Sequence, residues 1–223
     1  MKPLPGSLPF LCLAFALCPF LDARSALETP DEIAQCMRDN LPHNSSVQSV
    51  VLRSTDRTKS VTESRATLHW EKGEDGFSKV LLRFHKPLDL RGAGLLMLEK
   101  KGRSPDTFLY LPEIRKVRRV SSRVAASSLF GTDFSYEDFQ RLMGMSENAD
   151  MQREEDTRIE GRAAFVISAT FPAESKSTYE KVVTSIDQET CVALAVDSYE
   201  TGGILRKQLR ADVSQISEEG GRW

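Results

Sequence analysis

Alternating apolar and polar residues run through most of the chain and predict β-strands. In the stretch "KVLLRFH", Val80, Leu82 and Phe84 occupy every second position, and a turn at residues 73–76 joins this run to "ATLHWEK" as a hairpin. Four or five further strands follow residue 150, with tight turns at residues 160–161, 187–188 and 202–203. The regular spacing predicts one large antiparallel sheet, a sandwich or a barrel. One face of the first of these later strands carries Phe165, Ile167, Ala169 and Phe171.

Helical signals are restricted to two short segments. In "TPDEIAQCMRDNLP", Thr29 is the expected N-cap, Pro30 opens the helix and Glu32 completes a capping box. Its apolar stripe consists of Ile33, Cys36, Met37 and Leu41. In "SYEDFQRLMG", Ser135 is the expected N-cap and Gly144 the stop. One face of this second helix is predicted to hold Phe139, Leu142 and Met143.

Residues 121–150 form one long irregular insertion, preceded by a basic segment. Long loops in compact domains are usually functional or disordered, and the phenylalanine content of this one favours order. Five of the nine residues from 115 to 123 are basic. Ile114, Val117 and Val120 recur every third residue, which predicts that this apolar side is buried while the basic side points outward. The segment is either a solvated strand face or a contact for anionic headgroups or an acidic partner, made by Arg115, Lys116, Arg118, Arg119 and Arg123.

The first residues contain the parts of a secretory signal peptide. Lys2 precedes the uncharged stretch "LPFLCLAFALCPFL", and the small residues Ala23 and Ser25 follow it. This stretch is shorter than the about 20 apolar residues that a membrane span needs. We expect cleavage after Ser25 and no lipid anchor, because a leucine rather than a small residue precedes each cysteine of the segment. Residues 26–223 are then expected to form a single domain.

The net charge argues against nucleic-acid binding, and the cysteine content allows one disulfide. Loss of Lys2, Asp22 and Arg24 with the signal peptide changes the formal net charge from −2 to −3. A slightly acidic exported protein is a poor candidate for nucleic-acid binding. Cys36 and Cys191 remain after cleavage, and in an oxidising compartment they form either one disulfide or two buried free thiols.

The chain contains no convincing catalytic or metal-binding motif. His43, His69 and His85 are its histidines, and none has a cysteine or carboxylate at ligand spacing, so we expect no metal site. Ser135 lies near Asp133 and Asp138, but its role as an N-cap explains it, and no histidine is close in sequence. We therefore expect neither an enzyme nor a cofactor.

The residues around the insertion resemble a known family. "FLYLPEIRKVRRVSS" followed by "SLFGTDFSYEDF" is similar to the signature of the outer-membrane lipoprotein-sorting protein-like family, whose members are exported bacterial proteins related to the periplasmic lipoprotein carrier. The pieces occur in the order of that signature, and the match covers roughly residues 45–215. Its most specific part is a box formed by Gly131, Thr132, Asp133, Phe134, Ser135, Tyr136, Glu137 and Asp138.

The resemblance implies a mainly β fold with a few helices, an incomplete antiparallel β-barrel closed by helices and by the long insertion. In relatives the apolar concavity holds acyl chains. On this basis we expect the cavity or its gate to be lined by Leu82, Phe84, Phe108, Tyr110, Phe130, Phe134, Phe139, Phe165 and Ile167. For the phenylalanines of the insertion, ordinary core packing is the alternative. A disulfide between Cys36 and Cys191 would tie the N-terminal helix to the sheet.

The function implied by the resemblance is that of a periplasmic lipid or lipoprotein carrier. We expect a monomer that binds acyl chains and assists an inner-membrane exporter of the resistance-nodulation-division type. The alternatives are an envelope stress sensor of the same fold and, with less support, a lipid hydrolase that uses the insertion. The hydrolase hypothesis is disfavoured because the sequence contains no convincing set of catalytic residues.

Overall fold

The structure is a computed structural model that describes residues 27–41, 44–55, 58–121, 124, 127–145, 149–175, 177–218 and 220–223. Within these residues, eleven strands form two antiparallel sheets that are not closed into a barrel. Sheet one has the order β1-β2-β3-β4-β5-β6. Its strands are Ser45–Thr55, Val61–Lys72, Ser78–Lys86, Gly94–Lys100, Arg103–Leu111 and Lys116–Val120. Sheet two has the order β11-β10-β9-β8-β7, and β7 to β11 are Asp150–Ile159, Arg162–Thr170, Lys181–Asp187, Ala193–Glu200 and Ile204–Arg210.

The inner face of sheet one is the face that bears Trp70, Leu82 and Leu95. From Ser64 to Trp70 in β2 and from Ser78 to Phe84 in β3, buried and less buried positions alternate, as in a strand with one covered face. The described residues 127–145 of the insertion pack on this inner face. The insertion contains helix α2, Tyr136–Leu142, and it contributes the buried residues Leu129, Tyr136 and Met145 to the core.

The core of sheet two is covered by helix α1, Pro30–Asp39. Ile33 is fully buried among Phe165, Ile167 and Ile186, and Cys36 and Met37 pack at the edge of this cluster. The capping box at Thr29 and Glu32 is present. A third, smaller cluster of Phe171, Tyr179 and Val182 lies where β8 connects to β9.

The predicted fold class is confirmed, because the chain is mainly β and its antiparallel sheets leave the barrel incomplete. The predicted turns at residues 73–76, 160–161 and 202–203 all separate neighbouring strands. One detail of α2 was predicted wrongly. Phe139 and Met143 pack on the core, but Leu142 is 41% exposed.

No helix in the described part of the chain is long and apolar enough to span a membrane. The predicted signal peptide, residues 1–25, lies outside the described residues, as does Arg123. The single-domain assignment for residues 26–223 stays a prediction.

Candidate functional site

The insertion covers the inner face of sheet one with aromatic side chains. The ring of Phe130 lies 4.5 Å from that of Phe84, centroid to centroid, at an interplanar angle of 59°. Further along the insertion, Gln140 Nε2 donates a hydrogen bond of 3.2 Å to Thr107 Oγ1 on β5. A ligand that reached this face would have to replace these contacts.

The first part of the box forms a tight loop that presents Phe130 to the sheet. The backbone of Leu129 donates a 2.7 Å hydrogen bond to the carbonyl of Phe134, and Thr132 Oγ1 donates to the carbonyl of Leu129 at 2.7 Å. Gly131 has φ of +76°, a conformation that glycine adopts without a steric cost. The glycine and the threonine of the box therefore fix the shape of this loop.

The second part of the box connects the insertion to sheet two. Glu137 is only 6% exposed. Its carboxylate accepts hydrogen bonds from the backbone and hydroxyl of Thr178, from Ser177 Oγ and from Arg141. Arg141 in turn lies 4.2 Å from the centre of the Phe171 ring. Glu137 thus fastens α2 to the segment that precedes β9.

Asp138 makes the second connection to the same sheet. Its carboxylate accepts from Tyr179 Oη at 2.8 Å and from Lys207 Nζ on β11 at 2.6 Å. It also accepts a hydrogen bond of 2.7 Å from the backbone N–H of Ser135, as part of the capping box of α2. We call this network the clasp and define it as Glu137, Asp138, Arg141, Ser177, Thr178, Tyr179 and Lys207.

The clasp holds both carboxyl groups in their ionised form. Burial by itself would raise the pKa of Glu137, but the hydrogen bonds from Thr178 and Ser177 and the charge of Arg141 outweigh it and lower the pKa. Burial by itself would also raise the pKa of Asp138. The hydrogen bonds from Lys207, Ser135 and Tyr179 outweigh burial, so the pKa is lowered. Burial and the neighbouring Asp138 raise the pKa of Tyr179, so its phenol remains a hydrogen-bond donor.

Comparisons with known proteins agree with this architecture. A family model with the description "Uncharacterized protein" matches residues 76–223. The structure is similar to a DUF1329 family protein from Desulfovibrio piger, with 24% identity and a TM-score of 0.78 over 86% of this chain and 80% of that one. It is also similar to an outer membrane lipoprotein-sorting protein domain from Vibrio parahaemolyticus, with 26% identity and a TM-score of 0.71 over 81% and 76% of the two chains. The chain belongs to the outer-membrane lipoprotein-sorting protein-like family.

A more distant structure supports the fold alone. A LolA superfamily protein from Nitrosomonas europaea has 19% identity and a TM-score of 0.64, over 87% of this chain and 81% of that one. No curated protein matches the chain. In this member of the lipoprotein-sorting protein-like family, the signature box joins the cover of sheet one to sheet two. The sequence placed Glu137 and Asp138 in the signature box but did not predict their contacts with sheet two.

The residues predicted to line a cavity fall into several groups. Leu82 and Phe84 are 1% exposed on the inner face of sheet one, where Phe130, Phe134 and Phe139 pack against the same core. Phe165 and Ile167 are 7% exposed and lie under α1 in sheet two. Their side chains are therefore covered by the insertion or by α1. Ligand binding by these residues stays a prediction.

Phe108 and Tyr110 lie on the outer face of sheet one, so placing them with Leu82 and Phe84 was wrong. Leu95 pairs with Leu109 and Leu96 pairs with Phe108, so Phe108 and Tyr110 alternate with inner-face residues. Both are half-buried. The sequence did not reveal this because the face of β5 depends on its register with β4.

The basic segment is a hairpin rather than a segment with a three-residue repeat. Residues 112–115 form the turn between β5 and β6, and Arg115 has φ of +48°. Val117 is 64% exposed and Ile114 is 40% exposed, whereas Val120 packs against the core. The predicted burial of Ile114 and Val117 was therefore wrong. Arg119 pairs with Asp106, while Lys116 and Arg118 are exposed.

Ser135 is engaged as a helix cap. It is 1% exposed, and its Oγ accepts a hydrogen bond of 3.1 Å from the backbone N–H of Asp138. His69 and His85 lie on the outer face of sheet one, on the side opposite to the insertion. Among the described residues, no group of three potential metal ligands occurs. His43 lies outside the described residues.

Helix α1 is fixed to sheet two at its C-terminal end. Cys36 and Cys191 form a disulfide with a Cα–Cα distance of 5.7 Å. Beside the disulfide, Asn40 Nδ2 donates a hydrogen bond of 2.9 Å to the carbonyl of Thr190. The loop that carries Thr190 and Cys191 is itself held by Asp187, which accepts from Thr190 N at 2.8 Å and from Arg162 Nη2 at 2.9 Å. The disulfide therefore joins α1 to a loop that hydrogen bonds hold to sheet two.

The Asp187 carboxylate should make the stability of the protein depend on acidic pH. Burial would raise its pKa, but hydrogen bonds from Arg162 and Thr190 lower it to about 2. Since this lies below the unfolded value of about 3.9, ionised Asp187 stabilises the fold above pH 4, and this contribution is lost as the pH falls towards 2. We expect a loss of about 2 kcal/mol from this group.

Urea unfolding at pH 5 and at pH 2.5 measures this effect. Asp187→Asn should be less stable than the wild type at pH 5 and should lose less stability on acidification. The exposed Asp150 provides the control, because Asp150→Asn should retain the wild-type pH dependence. An unchanged pH dependence in Asp187→Asn would contradict the assignment.

Proposed function

We propose that the protein is a periplasmic carrier that binds the acyl chains of lipids or lipoproteins on the inner face of sheet one. The observation that carries the proposal is the nature of the cover. Among the described residues, those that cover Leu82 and Phe84 belong to a loop and a short helix and not to the second sheet. Such a cover can move away without breaking any hydrogen bond between strands. The proposal includes no catalytic step.

The energetics of this exchange favour reversible binding. Each buried methylene contributes about 0.8 kcal/mol, so a long acyl chain supplies roughly 10 kcal/mol of gross stabilisation. Phe130, Phe134 and Phe139 already bury apolar surface on the same core. The net affinity is the stabilisation from burying the acyl chain minus the stabilisation that these side chains lose, because the ligand replaces them on the core. A carrier needs this balance in order to release its cargo.

The loops at one end of sheet one are suited to contact a membrane or a membrane partner. Gly94 pairs with Tyr110 and Leu111 with Lys116, so the β3–β4 loop and the β5–β6 turn lie at the same end. We call this end the tip and define it as Leu88, Arg91, Ile114, Arg115 and Lys116. Leu88 is 75% exposed, and the three basic residues are exposed. Protruding apolar side chains next to basic ones are typical of surfaces that bind anionic headgroups. The membrane partner we infer is an inner-membrane exporter of the resistance-nodulation-division type.

The double variant Arg115→Glu/Lys116→Glu should bind anionic vesicles at least about tenfold more weakly than the wild type. Each basic residue near an anionic surface contributes about 1 kcal/mol. Sedimentation with phosphatidylglycerol vesicles measures the change. Lys100→Glu/Lys101→Glu makes the same change in net charge at the opposite end of the sheet and should have a smaller effect. Equal losses in the two variants would show that the tip is not the contact.

Native mass spectrometry of the protein purified from a bacterial periplasm tests the carrier function. We expect a stoichiometric acyl ligand, which solvent extraction then identifies. Incubation of the emptied protein with lipid vesicles should restore the bound mass. A protein that is empty and takes up no lipid would contradict the proposal and would favour a module for protein interaction.

A further inference from the structure

A row of side chains crosses the whole inner face of sheet one near the β2–β3 turn. Directly paired residues lie on the same face, so the row can be followed strand by strand from the register. It consists of Ser46, Trp70, Val80, Met97, Thr107 and Val120. Val80 and Met97 at its centre are fully buried. The row is therefore apolar at its centre, with Trp70 and Ser46 on the β1–β2 side and Thr107 on the β5 side, and it ends at Val120 on β6.

The two sides of the row differ in their hydrogen bonding. On the β5 side, the insertion satisfies Thr107 through Gln140. On the β1–β2 side, Trp70 Nε1 and Ser46 Oγ are buried, and neither has a hydrogen-bond partner within the described part of the chain. Trp70 as a whole is only 4% exposed. Leaving a buried donor unpaired costs about 1–3 kcal/mol, so two adjacent cases call for an explanation.

The chemistry of the two groups defines the missing partner. An indole N–H donates and cannot accept, so the atom that satisfies Trp70 is an acceptor. A hydroxyl can donate to the same acceptor. A buried anionic acceptor would require a buried cation beside it. The residues paired with Trp70 are the uncharged Ser46 and Val80, and Lys72, two positions along the same face of β2, is exposed. The pair thus fits a neutral carbonyl oxygen next to an apolar chain.

We propose that Trp70 Nε1 and Ser46 Oγ donate hydrogen bonds to the carbonyl oxygen of an ester- or amide-linked acyl chain. The inference rests on the carrier function proposed above and specifies its cargo. The chain would run along Val80 and Met97 towards the insertion. The headgroup would project beyond β1, the edge strand, where Ser45 and Val47 are exposed. Acyl lipids are then preferred over alkyl ethers, which lack the carbonyl.

The test compares diacyl phosphatidylglycerol with the dialkyl ether analogue of the same chain length. Wild-type protein should bind the ester lipid about tenfold more tightly, since two hydrogen bonds of about 0.7 kcal/mol each are gained. Trp70→Phe and Ser46→Ala should each lower the affinity for the ester by a few-fold and leave that for the ether unchanged. Trp223→Phe and Ser49→Ala are the matched controls and should keep the preference. Trp223 is 44% exposed, and Ser49 lies on the outer face of β1.

Fluorescence provides a second measurement on the folded protein. The chain has two tryptophans, so Trp70 is the sole reporter in Trp223→Phe. Its emission should shift to longer wavelength with the ester and remain in place with the ether. If wild-type protein binds neither lipid, the carrier function itself is wrong. If it binds both equally, or if Trp70→Phe keeps the preference, the carrier function stands and this assignment is overturned.

Discussion

Replacing Glu137 by glutamine is expected to lower the free energy of unfolding by about 3 kcal/mol. Glu137 forms an ion pair with Arg141, and the two side chains are 8% and 19% exposed. Removing one partner of a buried pair leaves the other charge without compensation, which costs about 3–5 kcal/mol. The new amide N–H₂ group would also face the donors of Ser177 and Thr178. Urea denaturation at neutral pH measures the loss.

The signature box contains its own control for this experiment. Asp133 belongs to the same box, but its side chain is exposed. Asp133→Asn should therefore change the stability by no more than about 0.5 kcal/mol. The clasp would be refuted as a stabilising element if Glu137→Gln were as stable as Asp133→Asn. A dye that binds exposed apolar surface should respond to Glu137→Gln, because the insertion is then held less firmly on sheet one.

Removing the disulfide is expected to reduce stability by about 4 kcal/mol. Cys36 and Cys191 are 155 residues apart in sequence, so the bond closes a very long loop in the unfolded chain. Long loops give the largest entropic stabilisation, about 4–5 kcal/mol in the chain-entropy treatment. Cys36→Ala/Cys191→Ala and the wild type under reducing conditions should unfold at similar urea concentrations. The same reductant should leave the double variant unchanged, and a loss below 1 kcal/mol in both cases would contradict the prediction.

The local elements were predictable because their signals are local. The cap at Thr29, the proline at position 30 and the glutamate at position 32 all act within one helical turn, and α1 begins where they predict. Gly144, with φ of +70°, follows α2 as expected. The alternation in β3 placed Val80, Leu82 and Phe84 on one face correctly. These features depend on residues that are neighbours in the chain.

The faces of β5 and β6 were predicted wrongly because they depend on pairing between strands. Phe108 and Tyr110 look like core residues by type, yet the register with β4 places them on the outer face. The spacing of Val117 and Val120 suggested a common side, but residues three apart in a strand point to opposite faces. The inward-facing position of Trp70 could be predicted from the sequence, since it continues the alternation of Ala66 and Leu68. The absence of a hydrogen-bond partner for its indole N–H could not be predicted in this way.

The sequence by itself determined the family, the mainly β fold, the two helices and the presence of a phenylalanine-rich cover, because each follows from short-range patterns or from one contiguous signature. The tertiary structure decided what the signature does. Glu137 and Asp138 contact Thr178, Tyr179 and Lys207, residues 41 to 69 positions away. No local pattern encodes such contacts, since they arise only when the insertion folds across sheet one and meets sheet two. The same physical reason applies to Ser46 and Trp70, whose burial on one inner face leaves two donors that only the assembled fold reveals.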